Sequence, residues 1–344
     1  VRAWIKWILI AGIAGFLAYK LITTHFDWAG FVASLRRANA GLLLVAALLM
    51  YVNNIVRALR WSIFLRPAYL QTGLAPTPWW NLIGSQFIGF TGLAIFGRIG
   101  ELIRPLLIAR RTGLTFSSQI AVVAVERVFD LGAFAALFSL NLLLAPGLQT
   151  LPFHELFHKV GFAIAGLTLA LGVFVLGVRL AGPLVARMTG QLFGLFSKAA
   201  GVSAAQKVLA FRDGLNVVGS LADFVWLALL SLLLWGTIAV TYVVVMKAFP
   251  PPVALLTIPD ALLVMGFSVV GNVVQLPGIG GGAQLMTIGA LTKLFSIPAE
   301  LATSAGLMIW LVGSIAIVPA GLIYARIEGI SIGQVARRSE NIEV

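Results

Sequence analysis

WWNLIGSQFIGFTGLAIFGRIGELIRP, residues 79–105, decides how this chain must be built. Residues 79–97 are apolar enough for hydrocarbon, yet Gly84, Gly89 and Gly97 interrupt them, and Arg98, Glu101 and Arg104 follow at once. Further on, VERVFDL at 125–131 adds Glu126, Arg127 and Asp130 just ahead of another oily run, LGAFAALFSLNLLL at 131–144. The chain has only 12 acidic residues, and three of them fall in this window of about thirty positions. Charges set against such segments cost several kcal/mol in hydrocarbon unless they pair or line a wet cavity. The pattern therefore predicts a polar working site inside a membrane protein.

Composition agrees with that reading. Hydrophobic residues make up 60% of the chain and charged ones 10%, with a mean hydropathy of +1.01. Backbone polar groups in a bilayer must be satisfied within the chain, so the expectation is an all-α integral membrane protein. Apolar runs of the ~20 residues needed to cross a bilayer occur near 4–22, 41–57, 120–144, 160–180, 222–247 and 300–325. These predict about six transmembrane helices in a single polytopic membrane domain spanning 1–344. Two further stretches, 79–97 and 260–296, are broken by glycine and polar residues and read as re-entrant broken-helix hairpins. Arg2 and Lys6 precede the first run, but LAYKLITTH after it offers no small-residue cleavage site, so a retained anchor is expected.

Cysteine is absent, which excludes disulfides and thiolate metal ligation. The net charge of +12 points to anionic lipid rather than nucleic acid, because cytoplasmic loops collect Lys and Arg. With the N-terminus cytoplasmic and both hairpins returning to the side they entered, Arg57, Arg60, Arg66, Arg98, Arg104, Arg110 and Arg111 join the majority of basic residues on the cytoplasmic face. Lys20, Arg36, Arg37, Lys159, Lys247 and Lys293 fall on the other, and Arg127 lies within a span. This bias places both termini in the cytoplasm of a cell with an inner membrane. Residues 183–215 mix Leu, Phe and Val with Arg187, Lys198, Lys207 and Arg212, which suits an amphipathic helix on the inner surface or a cytoplasmic linker helix.

The two broken stretches resemble each other. Gly84 and Gly89 align with Gly266 and Gly271, and Gly97-x-x-Gly100 with Gly278-x-x-Gly281. An inverted repeat, with halves 1–180 and 181–344, would put discontinuous helices at matching positions and a substrate site near the midplane. Helices restarting at Gly100 and Gly281 would aim partial positive charge at an anion. Glycine also serves close packing in membrane helices, which gives the same matches without a repeat.

Glu126 and Asp130, four apart, share one helix face. Arg98 and Arg104 flank Glu101 at the tip and return limb of the first hairpin, and Pro105 stiffens that limb. One arrangement pairs the carboxylates with some arginines and leaves other guanidinium groups to hold a phosphate bidentately. The other is an architectural ion-pair network holding the hairpin down.

GRIGELIRP (97–105), RR at 110–111 and VERVFDL (125–131) resemble signatures of the lysylphosphatidylglycerol synthase transmembrane, or flippase-like, family. RALRW at 57–61 resembles its arginine-tryptophan element, and LPGIGGGAQ at 276–284 its glycine-rich loop. Ile279 and Gln284 depart from that loop, where the family usually has glycine and glutamate. The resemblance implies movement of a membrane phospholipid or a polyprenyl-linked lipid between leaflets, without an aminoacyl-transfer domain in this chain. The candidate substrate-binding residues are thus Arg98, Glu101, Arg104, Glu126, Arg127 and Asp130, with Gly97, Gly100, Gly278, Gly281 and Gln284 in the two loops. No catalytic residue and no cofactor is implied, and no nucleotide-binding motif is visible. The alternative is an integral membrane transferase, or an accessory subunit or scaffold partnering a lipid synthase.

HELFH at 154–158 matches the His-Glu-x-x-His metal pattern, with His25 and Asp27 expected on the same side. It sits in a short loop after Pro146, Gly147 and Pro152 with no further ligand pattern downstream. His154, Glu155 and His158 therefore read as interfacial residues that open the next span rather than as a metal centre.

Overall fold

The computed structural model describes residues 26–330 apart from 196, 215–217, 273–274 and 277–279. The expected first span (4–22), His25, Gly278, Ile279, Arg337 and Arg338 lie outside the described residues, as do the side chains of Arg98 and Arg212. The described chain is helical apart from one two-residue pair, Gln275–Leu276 (β1) with Gly280–Gly281 (β2).

A short helix, α1 (Trp28–Arg37), leads to α2 (Ala40–Thr72), whose Asn39 side chain accepts from the Leu42 amide and whose end is turned by left-handed Gly73. The first broken stretch is a hairpin of two short helices, α3 (Ile83–Phe96) and α4 (Ile103–Thr112), joined by a 3-10 turn over Gly97–Leu102. Next come α5 (Phe116–Leu144), capped by Thr115, α6 (His154–Gly194) and α7 (Lys198–Gly214). Ser220 caps α8 (Leu221–Lys247), and the second broken stretch is again a hairpin, α9 (Ile258–Gly271) and α10 (Gly282–Leu294). The last run, α11 (Ala299–Trp310), a π turn over Leu311–Ile315 and α12 (Val318–Ile327), is one continuous apolar rod.

Four helical segments are long and apolar enough to cross a bilayer: Ala40–Thr72, His154–Phe174, Leu221–Lys247 and Ala299–Ile327. They leave large apolar side chains exposed, among them Leu44, Leu48, Leu167, Leu169, Leu229, Leu233, Leu322 and Ile323, as lipid-facing surfaces require. The protein is a multi-pass membrane protein. Helix α5 equals the last rod in length but carries Glu126, Arg127 and Asp130 along it.

Element order repeats along the chain. Helices starting at Ala40, Ile83, Ile103 and Phe116 are matched, in sequence and in kind, by helices starting at Leu221, Ile258, Gly282 and Ala299. The leading members, α2 and α8, lie antiparallel: Asn53 donates to the Leu234 carbonyl (2.9 Å), Arg60 to Ser231 (2.7 Å) and Arg66 to Asp223 (2.6 Å). Contacts repeat too. Gly84 and Thr91 of α3 meet Tyr324 and Gly321 of α12, while Gly266 of α9 meets Phe138 of α5. The glycine alignment expected from sequence holds less well, since Gly89 falls inside α3 and Gly271 ends α9.

Residues 183–215 are not one surface helix. Residue Ala181 leaves helical geometry ahead of Pro183, and residues up to Gly194 form a limb of α6 that folds back on α7, where Gly201 approaches Gly190 and Gly194. Pro183 disrupts the ladder and small residues let the limbs close, while Leu184, Met188, Leu192 and Val202 stay exposed.

Close approach also shapes the first hairpin. A Cβ on Gly100 would lie 2.2 Å from the Gly92 carbonyl oxygen, whereas one on Gly132 meets nothing within 4 Å. Replacing Gly100→Ala is expected to lower stability by about 1–3 kcal/mol, the usual cost of overpacking. The Gly132→Ala control should match or exceed the parent, by up to about 1 kcal/mol from helix propensity. Thermal unfolding in detergent micelles checks both.

Candidate functional site

Three helices bring four ionised side chains to one buried point. Arg60 comes from α2, Arg104 from α4, and Glu126 and Asp130 from one face of α5; all four are buried. Arg60 donates through Nη2 to Glu126 Oε1 (2.5 Å) and through Nη1 to Asp130 Oδ1 (2.6 Å) and Ser231 Oγ (2.7 Å). Arg104 forks onto the same carboxylate, Nη2 to Oε2 at 2.6 Å and Nη1 to Oε1 at 3.2 Å, with Gln86 Oε1 at 3.4 Å. Its guanidinium also lies over the Trp61 ring (4.4 Å) and near Phe90 (5.2 Å).

Glycine makes the Arg104 position reachable. At Gly89 an added Cβ would fall 2.5 Å from Arg104 Cβ, so only a bare backbone lets α3 and α4 close with that side chain inside. Gly97 adopts φ 65°, ψ −142°, which L side chains avoid, and turns the chain at the tip. On the other hairpin Gly281 has φ 145°, and its amide donates to the Gln284 side chain, which caps α10.

Two arginines facing two carboxylates cancel, so this cluster is a neutral clasp. Arg57, one turn before Arg60, is the extra charge. Its Nε donates to Asn53 Oδ1 (3.1 Å), its guanidinium sits 4.9 Å from the Phe90 ring, and its Nη1 approaches Glu126 only to 4.0 Å.

Arg57 lines a cavity of about 300 Å³ between the hairpins. Gly97 borders it from the first tip, Gly281 and Gln284 from the second, and α2, α8, α9 and α11 supply the walls. Polar side chains on the wall include Asn53, Asn54, Tyr242, Ser268, Thr287 and Ser314, with Trp235 and Trp310 among the apolar ones. Gly313 on the rim is exposed, so the space reaches the surface of the bundle. Asn54 is 2% exposed; its amide nitrogen donates to the Met50 carbonyl (2.8 Å), while its Oδ1 is buried with no hydrogen-bond partner.

Of the residues singled out from sequence, Arg104, Glu126 and Asp130 meet in the clasp, and Gly97, Gly281 and Gln284 border the cavity. Arg127 points elsewhere, 3.7 Å from Glu101, with both side chains about half exposed (51% and 43%). Gly100 packs against Gly92 within the hairpin rather than opening a helix toward the cavity. Arg57 and Arg60, counted from sequence as loop charges, lie inside the 33-residue α2. Their helical spacing with Asn53 (53, 57, 60) is the signal that could have found them. His154 and Glu155 stand exposed in the first turn of α6, and among the described residues no three His, Asp or Glu form a metal-holding group.

The family described as the lysylphosphatidylglycerol synthase TM region matches residues 4–321. A protein named glycosyltransferase AglD, from Haloferax volcanii, is 27% identical over 316 residues, covering 85% of this chain and 49% of that protein. The chain thus spans about half the length of that relative. No solved structure matches it.

Removing Arg60 alone would leave Asp130 without its cation and Glu126 with one fewer. Arg60→Ala is expected to cost about 3–5 kcal/mol, as for a broken buried ion pair. Arg127→Ala breaks a half-exposed pair and should cost less than ~1 kcal/mol. Equilibrium unfolding in mixed micelles separates the two, and equal costs would contradict the assignment of the clasp.

Proposed function

The chain belongs to the lysylphosphatidylglycerol synthase TM region family, and we propose that it carries an anionic or phosphate-bearing lipid between leaflets, with the headgroup held beside Arg57. The observation that carries this reading is the cavity of about 300 Å³ between the two hairpins, with one guanidinium in excess of the neutral clasp. A polar, cationic groove lowers the cost of taking a charged headgroup through hydrocarbon while the acyl chains stay in lipid.

In this reading the protein has six spans, with residues 4–22 and α5 added to the four apolar rods, and α3–α4 and α9–α10 enter the bilayer and return. The antiparallel α2 and α8 are then equivalent helices of an inverted repeat, and the cavity lies at the repeat interface near the midplane. Both termini are cytoplasmic and the membrane is an inner one; removing Arg57, Arg60 and Arg104 from the loop charges keeps the sign of the basic bias. Arg104, Glu126 and Asp130 frame the cavity, Gly97, Gly100, Gly278, Gly281 and Gln284 form the tips, and Arg98, Glu101 and Arg127 serve the approach to it. The partner is a membrane phospholipid or polyprenyl-linked lipid.

A second reading draws on the relative named a glycosyltransferase. Here the chain is a membrane transferase component or an accessory subunit presenting a lipid-linked substrate to a synthase. Co-purification of a synthase whose activity needs this protein, with no lipid movement by the protein alone, favours that reading.

The transport reading is tested by reconstitution. Charge-assisted hydrogen bonds contribute roughly 1.5–3 kcal/mol, so Arg57→Gln should slow translocation of acyl-labelled phosphatidylglycerol by about ten-fold or more. Arg57→Lys should retain part of the rate, and melting of both variants should stay close to the parent. An unchanged rate in Arg57→Gln would remove the mechanism.

A further inference from the structure

Helix α6 is longer than a membrane is thick. Its 41 residues extend about 60 Å at 1.5 Å each, against about 30 Å of hydrocarbon. His154–Phe174 is the part long and apolar enough to cross, and beyond it the helix is interrupted at Ala181. The limb that follows, residues 182–194, pairs with α7 through the close approach of Gly201 to Gly190 and Gly194. Helix α7 runs to Gly214, and the Ser220 cap opens α8 shortly afterwards, which sets the end of α7 near the level where a crossing rod begins.

This pair of limbs has two unlike faces. Ala186 of the first and Val208 of α7 are buried in the same apolar cluster as Trp61, Val125 and Phe129, so the pair is anchored to the body of the protein. On the other side of the first limb, Leu184, Met188, Leu192 and Leu195 recur every three or four residues and are 56–81% exposed. A contiguous apolar stripe of this kind marks a surface that something covers.

Charge says what covers it. Arg187, Lys198 and Lys207 are exposed on the same two limbs, and the sequence has no acidic residue between Glu155 and Asp213. Apolar side chains that enter the acyl boundary, with cations beside them at the phosphate level, are complementary to an anionic lipid surface. A second copy meeting this stripe about a two-fold axis would instead bring the same cations face to face.

We infer that the distal limb of α6, with α7, lies on the bilayer surface as a docking element for anionic phospholipid. The stripe from Leu184 to Leu195 sits at the acyl boundary, and Arg187, Lys198 and Lys207 face lipid phosphates. In the topology proposed above these limbs are cytoplasmic, where the leaflet is negative. The inference rests on the spans of that reading, and on neither Arg57 nor lipid movement.

The chain has no cysteine, so a single introduced thiol takes a label uniquely. Met188→Cys carrying a nitrobenzoxadiazole dye is studied in the full chain, in nanodiscs of phosphatidylcholine with or without phosphatidylglycerol. With phosphatidylglycerol present, nitroxide-bearing lipids should quench the dye and aqueous iodide should not. Each basic residue near an anionic surface is worth about a five-fold factor, so the docked-to-undocked ratio should fall by about ten-fold or more without phosphatidylglycerol. Replacing Arg187, Lys198 and Lys207 together by Gln should do the same in anionic discs, while melting in micelles stays at the parent's temperature because all three side chains are exposed. Leu192→Glu in the labelled chain should open the dye to iodide.

A dye quenched by iodide in anionic discs overturns the inference, because the stripe then faces water. Protection from both quenchers overturns it too, since protein, a second copy or a synthase, then covers the stripe. Lipid quenching that is equal with and without phosphatidylglycerol removes the anionic partner. Arg57→Gln should dock as the parent does. Docking by a protein that moves no lipid in proteoliposomes would sink the transport reading alone, and translocation with an iodide-exposed dye would sink the docking alone.

Discussion

The carboxylate of Glu126 is the fixed point of the molecule. Two guanidinium groups from different helices end on its two oxygens at 2.5 and 2.6 Å, and a third, Arg57, comes within 4.0 Å. In a medium with little water each of these charges would be costly alone, and the pairing is what lets them be buried. The consequence is geometric. Helix α2, the return limb of the first hairpin and α5 are tied at one level, and Ser231 extends the tie to α8. A hydrophobic contact can slide by a residue at small cost, but a forked Arg104–Glu126 pair cannot. The clasp therefore fixes the return limb of the first hairpin to α2 and α5.

Much of this was legible because hydropathy and glycine act locally. Four of the runs read as spans are helices long and apolar enough to cross, and both interrupted stretches fold as pairs of short helices, since glycine at 97 and 281 supplies the backbone angles a tip needs. Glu126 and Asp130 share a face, as four-residue spacing demands. What escaped depended on partners far away in sequence. The apolar run ends at Arg57, yet α2 continues to Thr72, because Arg60 and Arg66 find Asp130 and Asp223 more than sixty residues on. Without those partners the same arginines would read as loop charges, and sequence read them so. Arg127, one step round the helix from Glu126, stands half exposed beside Glu101 instead of joining the buried cluster. The stretch 183–215 forms two limbs for a third reason: the helix ends at Gly194 and restarts at Lys198, and small residues on both sides form a helix–helix contact.

The cavity lies where the two hairpins meet. A rod, a hairpin and a second rod recur in chain order, and Gly97 of the first hairpin and Gly281 of the second border the same cavity. Helical backbone stops at each tip, where Gly97 and Gly281 adopt backbone angles that L side chains avoid. The result is a gap bounded by Gly97 on one side and Gly281 on the other, walled by rods whose outer faces are apolar. The two hairpins differ in chemistry at the cavity. In the first, Arg104 beside the tip is neutralised by Glu126; in the second, the residue behind the tip is Gln284, an uncharged cap. The asymmetry leaves positive charge on the α2 side of the gap and hydrogen-bonding groups opposite it.

The neutral clasp and the Arg57 face of the cavity are adjacent, so the presence of a clasp does not exclude a site beside it. Had the protein needed only to fasten its first hairpin, Arg60, Arg104, Glu126 and Asp130 would suffice, and Arg57 could be any apolar residue of α2. Keeping a third guanidinium there carries a penalty that Asn53 and the Phe90 ring offset only in part. Protein interiors avoid such a group unless water or a counter-ion reaches it, and Arg57 lines a cavity that either could occupy. An amphiphile with one negative charge completes the group without disturbing the clasp, whereas a dianion would have to compete with Glu126 for the same cation. In the transport reading proposed above, the partner of the spare arginine comes and goes, the property that distinguishes a transit site from a structural ion pair.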